Sequence, residues 1–180
     1  MESLGGHLLI AGPGLWDPNF RRTVVLVGHH DDEGALGVVL NRVLDVTVGE
    51  AVPVLARIAD LDEPVFRGGP VQEASVVVLA DFEEPSLAGV LAFGSIGFLP
   101  DESTEDVISS VRRARVFAGY SGWEAGQLEQ ELAEDSWVVE PALAEDVFHP
   151  EPGRLWNDVL CRKGRGFDLL RMMPDDPSLN

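Results

Sequence analysis

The sequence has almost no cysteine and almost no lysine, and it contains no long apolar run. A single cysteine, Cys161, excludes an intrachain disulfide and any multi-cysteine metal site. It falls in a helical-looking stretch, Arg154 to Lys163, beside Trp156 and Leu160. Unpaired cysteines are among the most buried residue types, so a packed thiol is expected there. The longest apolar runs, such as Leu8 to Ala11 and Val76 to Ala80, fall far short of the roughly 20 residues that a membrane-spanning helix needs. The opening Met1-Glu2-Ser3-Leu4 lacks the basic region of a signal peptide. These absences predict a soluble protein of the reducing cytoplasm, with no membrane partner.

Positive charge is the other scarcity. Acidic residues number 31 against 13 basic ones, for a net charge of −18, and the only lysine is Lys163. A field of that sign repels phosphate backbones, which disfavours direct nucleic-acid binding. Two basic groupings interrupt it, Arg112, Arg113 and Arg115, then Arg162, Lys163, Arg165 and Arg171. Both read as helix ends, where the dipole favours cations.

The chain does have a foldable core. The 180 residues are 45% hydrophobic, enough for one self-sufficient domain across 1–180, with a polar, proline-containing tail over 173–180 expected to be flexible. His7 to Ala11 and Thr23 to His29 read as strands, and Leu36 to Asn41 is the hairpin partner of the second across the turn Asp31-Asp32-Glu33-Gly34. Thr47-Val48-Gly49-Glu50 has capping-box spacing and opens a helix toward Ile58, shortened or kinked by Pro53. Further strands are expected at Pro64 to Arg67 and Ser75 to Ala80, joined by the turn Gly68-Gly69-Pro70, then at Val90 to Phe93. A helix is expected from Ser103 to about Ala114, a strand over Arg115 to Tyr120, and a helix over Glu124 to Glu134 with Glu129, Glu131 and Glu134 facing water. Ser136 to Val139 and Leu155 to Arg162 complete the pattern as strand and helix. Early hairpins with helices inserted irregularly later predict an α+β fold.

Few motifs carry chemistry. Gly12-Pro13-Gly14 matches neither a dinucleotide nor a Walker fingerprint and reads as a strand exit. Gly119-Tyr120-Ser121-Gly122-Trp123 resembles a nucleophile elbow but has tryptophan where glycine is required. His29-His30-Asp31-Asp32 would send its two histidines to opposite faces of a strand, so no metal site and no cofactor are expected from it. The segment Asp17-Pro18-Asn19-Phe20-Arg21-Arg22-Thr23 is different. If the second and third strands pair, Thr23 and Asn41 lie at one end of the sheet, and Asp17, Arg22, Asn41 and Arg42 can converge. A carboxylate, an amide and two guanidinium forks suit an oxyanion, and they equally suit a structural pin for a long loop.

These residues also carry a resemblance. Gly6 to Ala11, Asp17 to Thr23, His30 with Gly34 to Arg42, Gly68-Gly69-Pro70-Val71, and Gly119 to Trp123 with Gly126 to Glu129 resemble the YqgE/AlgH family over about residues 4–166. The resemblance implies a bacterial, cytoplasmic α+β protein, one domain with a curved, mostly antiparallel or barrel-like sheet flanked by helices. It implies no reaction or cofactor, although some members carry the label of transcriptional regulator. Val43 stands where the family usually has proline, and Ala80 where histidine is common. The candidate binding residues are therefore Asp17, Asn19, Arg22, His30, Asn41, Arg42, Gly68, Gly69 and Pro70. A non-enzymatic binding or regulatory protein that recognises a small anion or a protein partner is the first expectation. A transcriptional regulator and an enzyme built on Arg22, His30 and Asn41 are the alternatives.

Overall fold

Both faces of the first two strands are buried, and that organises the molecule. Strand β1 (His7–Ala11) and strand β2 (Val24–Asp31) send Leu8, Ile10, Val24 and Leu26 into one core and Leu9, Ala11, Val25 and Val27 into another. Side chains of a strand alternate between faces, so unbroken apolar runs are what a doubly covered sheet requires. The computed structural model describes residues 2–173; of the expected tail, positions 174–180 lie outside them.

All strands belong to one open sheet. Strand β3 (Gly34–Val39) forms the predicted hairpin with β2, and strands β4 (Val43–Thr47) and β5 (Pro64–Arg67) come next. Strands β6 (Val71–Phe82), β7 (Val90–Phe93), β8 (Ile96–Phe98), β9 (Val111–Glu124) and β10 (Trp137–Pro141) complete the set. The main path runs β10-β1-β2-β3-β9-β6-β8-β7, with β4 and β5 off it. Every pairing is antiparallel except β5 with β9. The sheet curls without closing: the Phe98 ring of β8 lies where a Cβ on Gly28 of β2 would be, 2.3 Å away.

Register shifts bend it, and three of them lie toward the β2–β3 and β7–β8 side. Between β2 and β3 the register slips at Gly28, the extra residue between Val27 and His29. Between β6 and β9, residues 72–75 stand against Gly119 alone, with Gln72 and Gly119 both at positive φ. Between β7 and β8 the register shifts between Leu91 and Phe93. Bulges of this kind strengthen local twist and re-aim side chains.

Short helices cap the sheet. Helix α1 (Val48–Ala51) starts with the predicted capping box, in which Thr47 and Glu50 exchange side-chain and backbone bonds, and the chain passes from it into a 3-10 turn that opens at Pro53. Helix α2 (Glu105–Ser110) covers the third core cluster with Val107. Helix α3 (Gln127–Ala133) places Leu128 on the second, and helix α4 (Ala144–Val147) places Val147 on the first. Helix α5 (Leu155–Lys163) lays Leu155, Trp156, Val159 and Leu160 against the first core, with helix α6 (Asp168–Met172) packed beside it.

Several expectations need correction. Cys161 is exposed, because the buried stripe of α5 ends at Leu160 and the next residue turns outward. The helix expected to reach Ala114 stops at Ser110, since Val111 to Ala118 are recruited into the ladder with β6. Arg112, Arg113 and Arg115 thus sit on a strand, not a helix end. Gly68-Gly69-Pro70 is not a hairpin turn, because β9 lies between β5 and β6 and pairs with both. Among the acids of α3, Glu129 accepts from His30, and Glu131 takes both the Trp123 and Trp137 indole N–H groups at 2.9 and 2.7 Å.

Candidate functional site

The long β1–β2 connection is held by its own backbone before any ligand is considered. Gly12 N–H donates to the Ser136 carbonyl at 2.8 Å, which makes Gly12-Pro13-Gly14 a strand exit beside β10. Asp17 Oδ1 accepts from Asn19 N–H at 2.8 Å, and the Asp17 carbonyl accepts from Phe20 and Arg21, an Asx-type turn. The Phe20 ring drops between Trp123 and Trp137, with centroid separations of 6.2 and 5.7 Å. Arg22 then takes a left-handed conformation, φ 52°, which non-glycine residues adopt rarely.

Asn41 explains how that conformation is kept. Its Oδ1 accepts from Val24 N–H and its Nδ2 donates to the Arg22 carbonyl, both at 2.9 Å. The amide clasps the loop to the start of β2. Its side chain is used on both ends, so it serves the loop rather than pointing at an open surface.

The two arginines expected to converge part company. The Arg22 guanidinium lies 4.7 Å over the Trp156 ring and donates to the Met173 carbonyl, toward α5 and α6. Arg42 instead donates to the Arg21 carbonyl. The Arg42 carbonyl accepts from Arg67 N–H at 2.8 Å through the β4–β5 pairing. Arg67 Nη2 reaches Asn19 Oδ1 at 3.2 Å, and Arg67 also pairs with Glu73. Arg21 lies over Trp16 at 5.6 Å. The assembled group is therefore Arg42, Arg67, Arg21 and Asn19. Burial, and after it the Arg67 and Arg21 charges, holds the Arg42 guanidinium below its ordinary pKa, although arginine stays protonated at neutral pH.

The remaining expected residues are placed elsewhere or built into the frame. His30 is buried on β2, where Leu4 N–H donates to its Nδ1 at 3.0 Å. Its Nε2 therefore carries the proton and donates to Glu129 at 2.9 Å. Gly68 and Gly69 cross β9 in close contact: a Cβ on Gly69, φ 156°, would lie 2.2 Å from the Tyr120 carbonyl. The Gly68 carbonyl accepts from Val39 N–H and from the Ser121 hydroxyl, so Ser121 is a fully buried strand residue with no nucleophile geometry. Pro70 is exposed. Sequence reasoning missed Arg67 and Arg21. The signal for Arg67 was its place at the end of β5, directly before Gly68, but it needed β4 to be seen as that strand's partner.

Elsewhere, basic side chains are committed to acids. Arg112 and Arg113 both meet Asp81, Arg162 meets Asp146, and Lys163 meets Glu140. Arg115 is buried under α4, donating to the Val147 and His149 carbonyls.

Comparison with known proteins agrees with this architecture. A family profile described as AlgH-like matches residues 8–168. A UPF0301 protein of Streptomyces coelicolor is 43% identical, with 100% of this chain and 97% of the relative covered. One from Mycobacteroides abscessus is 40% identical over 97% of this chain and 87% of the relative. A crystal structure of a protein from Corynebacterium diphtheriae superposes with a TM-score of 0.85 at 27% identity, covering 96% of this chain and 94% of that one. The solution structure of the AlgH protein of Pseudomonas aeruginosa gives 0.70 at 29% identity, covering 96% and 95%.

Proposed function

The chain belongs to the AlgH-like family, and from that premise we propose that it is a non-enzymatic binding protein whose recognition element is the arginine cluster Arg42, Arg67 and Arg21 with Asn19. One observation carries the reading. In a chain with 31 acids and 13 bases, three arginines are gathered on adjoining backbone segments, and among the described residues Glu73 is the one carboxylate paired to them. Like charges held together cost free energy that a bound oxyanion recovers, and guanidinium forks match planar oxyanions in two-point contacts. Asn41 and the Gly68-Gly69 crossing supply the rigid frame beneath.

A small oxyanion is the ligand this geometry favours; an acidic segment of a protein partner has the same chemistry. The commitment of Arg112, Arg113, Arg162 and Lys163 to neighbouring acids supports a regulatory role, where there is one, that runs through such a ligand rather than through DNA. The exposed, unpaired Cys161 fits a reducing cytoplasm. Among the described residues no helix is long and apolar enough to cross a membrane.

Isothermal titration with inorganic phosphate and with citrate at low salt tests the proposal. Saturable binding that weakens at least tenfold in Arg42→Gln and in Arg67→Gln, and that fades as salt is raised, is expected. Absence of binding by either probe to the folded wild type refutes the small-oxyanion reading.

A further inference from the structure

Three of the places where the sheet loses register lie around one cavity. It has a volume of about 200 Å³ and is lined by Gly28, Leu36, Val38, Val77, Phe98 and Tyr120, with His29 and Val90 at the rim. Gly28 is the bulged residue of β2. Val77 and Tyr120 flank the excursion of β6 against Gly119, and Val90 pairs with Phe98 next to the slip in β7. The first core cluster, which includes Val38 and packs against Val77, Phe98 and Tyr120, opens to the surface here. Leu36 and Val90 remain 49% and 45% exposed at its edge. Bulges interrupt hydrogen-bond ladders, and three of them around one opening mark a shaped mouth rather than a packing fault. Mouths of curved sheets are where small-molecule sites recur.

We infer that this cavity binds a small apolar aromatic molecule. The size argues for it: a dry apolar cavity of about 150 Å³ holds benzene, so about 200 Å³ takes one substituted or fused ring system and is too small for a helix or a peptide strand. The walls argue for it too. Phe98 and Tyr120 both face the space, and no ring contact joins them among the described residues. A planar ring bound against either gains the offset or edge contacts that aromatic pairs prefer. The surface that the described lining turns toward the space is wholly apolar, which favours an apolar ring over a polar one. The cavity is separate from the arginine cluster, so the two sites stand or fall independently.

Indole and toluene are suitable probes, one with a polar N–H and one without. Titration followed by backbone amide spectra should show saturable shifts centred on Gly28, Gly37 and Tyr120. For a ligand of indole's size the dissociation constant should be about 1 mM or tighter. Val90→Trp, a change at an exposed edge position that fills the mouth, should abolish saturation while leaving the rest of the spectrum unchanged. Tyr120→Phe keeps the shape and should leave the binding of both probes within about twofold of wild type. No saturable shift, shifts centred elsewhere, or equal binding by Val90→Trp would overturn the inference. So would sedimentation showing a dimer that Val90→Trp breaks, because a second copy would then be the occupant.

Discussion

Replacing Asn41 by alanine removes both halves of the clasp that holds the β1–β2 loop. Val24 is fully buried, so its N–H would lose its only acceptor with no access to water. An orphaned buried donor costs about 1–3 kcal/mol, and loss of the bond to the half-exposed Arg22 carbonyl adds about 0.5–1.5 kcal/mol. The left-handed Arg22 would also lose the contact that pins it. A total near 3 kcal/mol is expected, and for a chain of this size that lowers the melting midpoint by roughly 6–12 °C. Urea unfolding tracked by tryptophan fluorescence measures it directly, since Trp123 and Trp137 sit on the Phe20 ring of the same loop. Asn41→Asp, which keeps the acceptor for Val24 but not the donor for Arg22, should fall between wild type and alanine. Where Asn41→Ala is folded, its phosphate affinity should fall less than in Arg42→Gln, because the clasp frames the cluster without supplying a charge to it. A stability change below about 0.5 kcal/mol would refute the clasp, as would selective loss of phosphate affinity at unchanged stability.

Four further outcomes are expected. Gly69→Ala should cost several kcal/mol or prevent folding, since its Cβ would press on the Tyr120 carbonyl at a backbone conformation alanine resists; near-normal melting would contradict the crossing geometry. His30→Ala should speed amide exchange over Ser3–Gly6, because Leu4 N–H loses its acceptor, and unchanged protection would count against that anchor. Thr47→Ala should lower stability by about 1 kcal/mol through loss of the α1 cap, read from urea midpoints. Acid sensitivity arises from Glu50, held below its ordinary 4.5 by the Thr47 backbone and hydroxyl, Glu105, lowered by Arg57, and Glu129, lowered by its own backbone and by His30. The folded state binds these protons less readily than the unfolded chain, so the stabilisation is complete above about pH 4.5 and is lost as pH falls further. Urea midpoints taken at micromolar protein should decline below that pH, and less steeply in Thr47→Ala.

Much of this fold was legible because its strongest signals are local. The β2–β3 hairpin could be read from β-branched runs around Asp32-Glu33, and the α1 start from Thr47 and Glu50, since turn and cap chemistry act within a few residues. The elements that escaped reading depend on distant pairing. Val111 to Ala114 looks helical in isolation and becomes strand only because β6 offers a ladder. The candidate site divided along the same line. Arg42 could be placed near the sheet end that also carries the Asp17–Thr23 segment by hairpin logic, but Arg67 joins it only through a strand, β4, whose five residues carry too little pattern to announce it. Arg22 was misplaced because its left-handed turn reverses the side chain toward Trp156, a geometry no spacing rule reports.

Strand β9 has a temporal consequence. Among the described strands it alone is bonded to β3, β5 and β6, and it begins at residue 111. During synthesis, everything emerging before it can form the β1–β2–β3 meander, the β4–β5 pair and the β6–β8 ribbon, but not the ladders to β9 that join them into one sheet. These pieces expose the apolar strand faces that later become three cores. Loop closure over such separations slows folding and prolongs that exposure. A ribosome-bound chain should therefore remain protease-sensitive until residue 124 has cleared the exit tunnel, then gain protection over most of its length in a single step.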